Sequence, residues 1–187
     1  MKKRDFKLEL YKAKNTVFTT REISLLLNDP NRDSLKSKVN YYAKKGVIRQ
    51  VRRGIYVKDE YDKFELATKI YVPSYISLET VLQEEGVIFQ HYEKTFVVSY
   101  LSRSLAVDGH SLVFRRVKNR LLLNSFGLIR KENYAIATKE RAFLDSLYLY
   151  HEYHFDNLDA LDKKKVIELS VVYQNKQLLR KVKKILI

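Results

Sequence analysis

Apolar residues recur at helical spacing in two segments that open the chain. Residues 6–13 predict a first helix of two or three turns. In the next segment Thr19 and Glu22 form a capping box, which marks the start of a second helix with an apolar face. Residues 28–31 are typical of a turn, and Pro30 cannot continue the helix before it. The first thirty residues therefore predict two short helices and a tight turn.

The third segment predicts a longer helix over residues 33–45, which ends at Gly46 because glycine readily adopts the left-handed conformation. Leu35, Val39 and Tyr42 lie on one stripe of this helix, at i, i+4 and i+7. We expect that stripe to pack on the first two helices. The opposite face carries the polar side chains Ser37, Asn40 and Lys44. Lys36 and Tyr41 lie at its margins.

A basic hairpin is predicted directly after this helix. Residues 47–51 and 55–58 are short β-prone runs. Arg52, Arg53 and Gly54 fall at the tip between them, where glycine allows a positive φ. A helix followed by such a hairpin is typical of a winged helix-turn-helix.

The rest of the chain predicts a second domain of mixed helices and strands. Residues 61–71 predict a helix before the break at Pro73, and Ser77 is predicted to cap a helix that ends at Gly86. Five β-prone runs follow, at residues 95–100, 104–107, 112–118, 127–130 and 134–137. Thr138 then predicts the start of a helix that continues to residue 153, and two further helices are expected at residues 162–173 and 175–186.

Positive charge is concentrated in the N-terminal third. The chain has a net charge of +14, and residues 1–58 hold 16 Lys and Arg against 5 Asp and Glu. From Ser34 to Lys58 there are eight Lys or Arg and no carboxylate. Because DNA is densely negative, a face without carboxylates suits binding to it. The predicted fold class is therefore α+β: an N-terminal winged helix-turn-helix DNA-binding domain over residues 1–58, then a mixed α/β C-terminal domain over residues 59–187.

The predicted DNA contacts divide into two roles. Ser37 and Asn40 could meet base edges, and asparagine pairs best with the N6/N7 edge of adenine. Basic side chains would mostly neutralise phosphates. The complete set of candidate DNA-binding residues is Lys36, Ser37, Lys38, Asn40, Tyr41, Lys44, Arg49, Arg52 and Arg53. The alternative is a protein-binding module with a solvated basic face.

Catalysis and metal binding find little support in the sequence. Without cysteine there is no disulfide, no Cys-based zinc site and no thiol nucleophile. There is no P-loop, GxGxxG or GxSxG motif. His151 and His154 would share a helical face, but no third ligand accompanies them, so a surface pair is favoured. Asp145 is expected to pair with Arg141 at i−4. We therefore predict a protein that is not an enzyme, with no metal and no cofactor.

Two further alternatives concern the partner. Fourteen Tyr and nine Phe could stack on single-stranded bases, although most lie at core-facing spacing. The last helix is amphipathic and could lie on a membrane surface, although docking on its own domain is favoured. No apolar run approaches the ~20 residues that span a bilayer, and the charged N-terminus lacks the apolar core of a secretory signal. We expect a cytoplasmic protein without a membrane partner.

Three motifs, in their order and spacing, resemble a known family. They are RRGIYV in the hairpin, VPSYISLETVL and YAIATKERAFLDSLYL. Together they make nearly the whole chain similar to the abortive-infection (AbiE) antitoxin family, the antitoxin halves of type IV toxin–antitoxin pairs in bacteria. The family motifs fall on Gly54, Tyr56, Ser77, Glu79, Thr80, Thr138, Arg141 and Asp145. Leu78 and Val81 stand where family members often have His and Ala.

The resemblance implies a transcriptional autorepressor with two tasks. The N-terminal domain would bind double-stranded DNA sequence-specifically, at repeats in its own promoter. The C-terminal domain would counteract a nucleotidyltransferase-type toxin without a stable complex. Whether two copies bind as a homodimer stays open. The alternative is a protein-interaction module or a stand-alone winged-helix regulator without antitoxin activity.

Overall fold

The chain is an α+β protein, and the computed structural model describes its residues 5–186. It divides into two compact units, residues 1–70 and 71–187. The boundary predicted after residue 58 therefore lies one helix before this division. Lys2, Lys3 and Arg4, which contribute to the predicted N-terminal charge excess, lie outside the described residues.

The first unit combines helices with a small antiparallel sheet. Its elements, in chain order, are α1 (Phe6–Lys12), β1 (Val17–Thr19), α2 (Thr20–Leu27), α3 (Arg32–Lys44), β2 (Arg49–Arg52), β3 (Ile55–Val57) and α4 (Lys63–Ile70). The strand order is β1-β3-β2, so Val57 of the central strand lies opposite both Val17 and Arg49. β1 was not predicted, because three residues are too few to show a strand alternation.

The core of the first unit lies between the three N-terminal helices and the sheet. Leu35 and Val39 of α3 are buried there, as the stripe predicted. Tyr42, the third member of the stripe, is partly buried and stacks on Phe6 with ring centroids 4.3 Å apart. The buried cluster consists of Phe6, Leu10, Phe18, Ile23, Leu35, Val39, Ile48 and Tyr56. The predicted packing of α3 on the first two helices is confirmed.

Local signals set the ends of α2 and α3. The Thr19–Glu22 capping box is present in full at the start of α2. Asn31 caps α3, and its Oδ1 accepts hydrogen bonds from the backbone amides of Asp33 and Ser34. The helix therefore begins at Arg32, one residue earlier than predicted. Gly46 adopts the predicted left-handed conformation with φ of 71°, and Val47 N donates to Tyr42 O over 3.0 Å. This hydrogen bond closes a Schellman motif that directs the chain from α3 into the hairpin.

α4 is attached to the first unit by a buried ionic network. Glu65 is fully buried, and its Oε2 accepts hydrogen bonds from Thr16 N at 2.9 Å and Thr16 Oγ1 at 2.6 Å. Lys69 Nζ lies 2.9 Å from Glu65 Oε1 and 2.9 Å from Glu22 Oε1. It also donates to Val17 O in β1. These contacts explain why residues 63–70 belong with the first unit.

The second unit is built on a mixed six-stranded sheet. Its elements are β4 (Ser74–Ile76), α5 (Glu79–Glu84), β5 (Thr95–Ser99), β6 (Arg103–Val107), β7 (His110–Arg116), α6 (Asn119–Leu122), β8 (Leu128–Arg130), β9 (Ala135–Ala137), α7 (Lys139–Leu149), α8 (Lys163–Ser170) and α9 (Lys176–Leu186). The strand order is β6-β7-β5-β4-β9-β8. β5 and β7 are parallel, as are β4 and β9, and the other neighbours are antiparallel.

All five β-prone runs of the second unit are strands, with ends within two residues of the prediction. β4 and α6 were not predicted. The prediction that Ser77 caps α5 is wrong: the N-cap is Leu78, with φ of 58° and no side-chain cap. Ser77 Oγ instead donates to Asp145 Oδ2 over 2.8 Å. α7 ends at Leu149, four residues before the predicted end, because the Tyr150 backbone is extended.

α9 docks on its own unit. Its Leu178, Val182 and Leu186 are buried, as favoured over a membrane-surface helix. The longest helix within residues 5–186 has 13 residues, and none there has the length and apolar character needed to cross a membrane.

Candidate nucleic-acid interface

The outward face of α3 is open to solvent. Ser37, Asn40 and Lys44 are exposed on this face, and Lys36 is exposed at its margin. The buried residues Leu35 and Val39 fix the rotation of the helix, so these polar side chains point away from the core. The face that periodicity predicted is therefore available for binding.

Tyr41 stands at the other margin of this face. Its side chain is 55% exposed. Its ring lies edge-on to Tyr42, with centroids 5.2 Å apart, and Lys45 Nζ lies 5.6 Å from its centroid. The tyrosine is thus supported by one side chain of the core and accompanied by one cation.

Lys38 is engaged within the first unit. It is half-buried and forms an ion pair with Asp29 Oδ2, which also accepts a hydrogen bond from Ser34 Oγ at 2.9 Å. The hydrogen bond from Lys38 is the main reason that the pKa of Asp29 is lowered. Because its charge is compensated, Lys38 holds the 28–31 turn against α3 and contributes less than the other candidates to binding an anion.

The basic hairpin turns at Arg53 and Gly54, as predicted, whereas Arg52, also predicted at the tip, is the last residue of β2. Arg49 and Arg53 are exposed, while Arg52 is half-buried. Gly54 has a φ of 79°, and its carbonyl oxygen accepts a hydrogen bond from Thr20 N at 3.0 Å. This bond ties the tip to the start of α2. Arg53 therefore projects from a turn whose backbone is fixed, while one guanidinium nitrogen of Arg52 is buried.

Asp33 also belongs to the α3 face, although it is not among the predicted DNA contacts. Asp33 is exposed in the first turn of α3, where Asp33, Ser37, Asn40 and Lys44 follow the spacing i, i+4, i+7 and i+11. The carboxylate-free stretch begins at the very next residue, so the charge count did not reveal it. A carboxylate on this face would repel phosphates and could accept a hydrogen bond from the amino group of cytosine.

In the second unit, Arg141 and Asp145 form the predicted i−4 pair, with Arg141 Nε 3.3 Å from Asp145 Oδ1. Both side chains are completely buried. Tyr75 OH and Ser77 Oγ donate to Asp145 Oδ2 over 3.0 and 2.8 Å, and Tyr173 OH donates to Oδ1 over 2.6 Å. Burial, with the nearby Asp145 charge, raises the pKa of Tyr173 well above its usual range. This network is part of the core and is out of reach of a substrate.

Glu79 is a second buried carboxyl group in this unit. Its side chain is 6% exposed, and Tyr150 OH donates to Glu79 Oε2 over 3.4 Å. Desolvation raises the pKa of Glu79, and it raises the pKa of Tyr150 to about 12. The guanidinium of Arg115 lies 5.8 Å from the Tyr150 centroid. Burial therefore disfavours the charged form of Glu79, and the guanidinium of Arg115 is a cation near its partner Tyr150.

The histidine pair lies outside any helix. His151 and His154 are almost fully exposed, each next to a carboxylate, at 3.9 Å from Glu152 and 3.5 Å from Asp156. This placement agrees with a surface pair. Within residues 5–186, no group of three His, Asp or Glu side chains is arranged to hold a metal ion.

Comparison of the chain with protein-family models and with curated proteins found no match.

Proposed function

We propose that the first unit is a winged helix-turn-helix that binds double-stranded DNA. α3 would enter the major groove, and the β2–β3 hairpin would contact the flanking backbone. The observation that carries this proposal is the solvent-exposed polar face of α3, which leads through the turn at Gly46 into a hairpin with three arginines.

The connectivity of the first unit supports this proposal. α2 and α3 are separated by the four-residue turn 28–31, and the hairpin follows α3 directly. β1 completes the sheet beside β3, so the strand that carries the tip is held on both sides. A rigid hairpin loses little conformational entropy on binding, which favours its use as a backbone contact.

The predicted phosphate contacts set the expected salt dependence. Without Lys38, the basic candidates are Lys36, Lys44, Arg49, Arg52 and Arg53. At ~0.9 per neutralised phosphate, these five contacts contribute about −4.5 to the slope of log K against log salt. Their contribution alone should weaken binding by roughly 500-fold when the salt rises from 50 to 200 mM. A merely solvated basic face would show a much smaller slope.

A titration on the promoter of the chain's own gene tests this proposal. Fluorescence anisotropy across salt concentrations should show a sequence preference together with the slope. Arg52→Ala with Arg53→Ala should weaken binding to every duplex and reduce the slope by about 2. Asn40→Ala should mainly relax specificity, by ~1–3 kcal/mol at one base pair. Lys12→Ala with Lys63→Ala removes two exposed cations of the same unit and serves as the matched control. Absence of both a sequence preference and a salt slope would refute the proposal.

We further propose that the chain is a cytoplasmic autorepressor and the antitoxin of an AbiE-type pair. The support is the order of the three motifs and a second unit distinct from the DNA-binding one. The target of its antitoxin activity would be a nucleotidyltransferase-type toxin encoded next to it, and no catalytic step is assigned to the chain itself.

Co-expression with the adjacent toxin gene tests the antitoxin role. The chain should restore growth, and Arg52→Ala with Arg53→Ala should still do so, because neutralisation is assigned to the second unit. Failure of the unaltered chain to restore growth would leave only a regulator.

The second candidate function is a protein-interaction module. Its contacts would include two large side chains of the first unit that are exposed, Tyr11 at 87% and Leu25 at 69%. Co-purification with the product of a neighbouring gene, without any DNA binding, would support it.

A further inference from the structure

A second concentration of positive charge lies at the C-terminal end of the chain. Residues 163–187 hold eight Lys or Arg and a single carboxylate, Glu168. Residues 59–162 hold 12 basic and 16 acidic residues. The small net charge of the C-terminal part therefore combines an acidic segment with a strongly basic one.

Four of these cations lie along one side of α9. Lys176, Arg180, Lys183 and Lys184 are all exposed, at i, i+4, i+7 and i+8, and they form what we call the α9 stripe. At 1.5 Å per residue the stripe is about 12 Å long. Leu178, Val182 and Leu186 lie on the buried side of the same helix. The docking of this apolar side fixes the stripe towards solvent.

Lys181 shows how a basic residue outside the stripe is used. Its Nζ donates to Tyr150 O over 3.3 Å and to His151 O over 2.9 Å, and it is half-buried. Lys181 therefore helps to dock α9 on its unit. None of the four stripe residues is buried in such a contact.

The stripe is unfavourable for α9 on its own. No Asp or Glu occurs between residues 176 and 186, so no intrahelical ion pair relieves the repulsion at i, i+4 between Lys176 and Arg180 or between Arg180 and Lys184. Lys176 also lies in the first turn, where the helix dipole favours a carboxylate. Lys183 and Lys184 lie in the last turn, where the dipole favours cations, so the opposition to helix stability comes from Lys176 and from the repulsion along the stripe. Cations kept at such positions point to a binding role.

We propose that the α9 stripe contacts the phosphate backbone of double-stranded DNA, independently of base sequence. Lysine is a compact point charge that suits phosphates. No aromatic residue interrupts the stripe, so stacking on single-stranded bases has no platform there. Protein interfaces are depleted in lysine. Insertion into a lipid surface needs an apolar face, and that of α9 is buried.

The inference uses residues different from those of the proposed function and does not require it. Anisotropy with the full chain on a 30-bp duplex of random sequence, at several salt concentrations, tests it. The stripe variant carries Lys176→Gln, Arg180→Gln, Lys183→Gln and Lys184→Gln. The matched control replaces four other exposed cations of the second unit, by Lys94→Gln, Arg103→Gln, Lys118→Gln and Lys131→Gln. Because all eight positions are exposed, both variants should fold, as circular dichroism would verify.

The stripe variant should reduce the salt slope by about 2 to 4, at ~0.9 per lost phosphate contact, while the control keeps the slope of the unaltered chain. Equal slopes for the two variants would overturn the inference. The inference would also be overturned if the stripe variant kept the duplex slope of the unaltered chain. Its only defect would then be weaker binding to phosphatidylserine–phosphatidylcholine vesicles or to single-stranded DNA.

The Arg52→Ala, Arg53→Ala variant separates this inference from the proposed function. If only the arginine substitutions lower the salt slope, DNA binding by the α9 stripe is refuted and DNA binding by the winged helix-turn-helix is retained. A slope lowered by the stripe substitutions alone would retain the stripe and refute the first proposal.

Discussion

Replacing Lys69 by methionine should destabilise the first unit by about 3 kcal/mol at pH 7. Methionine keeps most of the side-chain volume but removes the cation between Glu65 and Glu22. Removing one partner of a buried ion pair costs ~3–5 kcal/mol, because the other charge stays buried without compensation. Here Glu65 keeps its two hydrogen bonds from Thr16, and Glu22 is one-third exposed, so the lower end of that range applies.

Hydrogen exchange of the amides in β1 and β3, measured at increasing urea concentrations, would report this loss in the first unit. Lys63→Met, on the exposed side of the same helix, is the control and should change stability by less than ~0.5 kcal/mol. Adding Glu65→Gln to Lys69→Met should restore part of the loss, since an uncharged amide no longer needs the ammonium. A loss below ~1 kcal/mol for Lys69→Met would contradict the role assigned to the network.

The same network gives a pH dependence with a definite sign. Desolvation of Glu22 would raise its pKa, but the Thr19 amide and Lys69 outweigh it, so the pKa lies below the ordinary value of a glutamate. A carboxyl group whose pKa is lowered by folding adds stability above its unfolded pKa, and this contribution is lost as the pH falls through the folded pKa. The difference between Lys69→Met and the unaltered chain should therefore be smaller at pH 3 than at pH 7. An equal difference at both pH values would mean that Lys69 acts by packing alone.

Three further substitutions test other parts of the molecule. Asp145→Asn leaves the buried Arg141 guanidinium without its carboxylate and should cost the second unit ~3–5 kcal/mol in thermal unfolding, whereas Asp159→Asn, at an exposed position, should cost almost nothing. Burial raises the pKa of Glu79 in the folded chain, so stability should decline as the pH rises from the ordinary pKa of a glutamate through this raised pKa; Glu79→Gln should remove that decline in urea titrations across this pH range. Asp33→Asn removes the carboxylate of the α3 face and should tighten binding to random duplex DNA a few-fold at low salt, an effect that anisotropy should find smaller at 200 mM.

The features predicted correctly are those that a few neighbouring residues decide. The Thr19–Glu22 capping box, the glycine at the end of α3 and the tip at Gly54 each depend on side chains within three or four positions. Periodicity likewise identified the buried stripe of α3, and with it the exposed polar face.

The features that were missed depend on residues far apart in the sequence. Ser77 looks like a helix cap, but its hydroxyl group binds a carboxylate 68 positions later. Lys38 looks like a phosphate contact, but it forms an ion pair with Asp29 across the preceding turn. The placement of α4 follows from a buried network with Thr16 and Glu22, which no local pattern indicates.

In the second unit, the residues of the motifs that suggest the AbiE family are engaged in buried hydrogen bonds and ion pairs. In the second unit Ser77, Arg141 and Asp145 meet in one buried network, and Thr80 Oγ1 accepts a hydrogen bond from Phe96 N at 2.7 Å. Substituting them should abolish any antitoxin activity by unfolding the unit, so such variants cannot locate the surface that acts on the toxin. That surface has to be sought among exposed residues, where the α9 stripe offers a variant that should leave the fold intact. A growth-rescue assay with the stripe variant would therefore distinguish a surface shared by DNA and toxin neutralisation from one used for DNA alone.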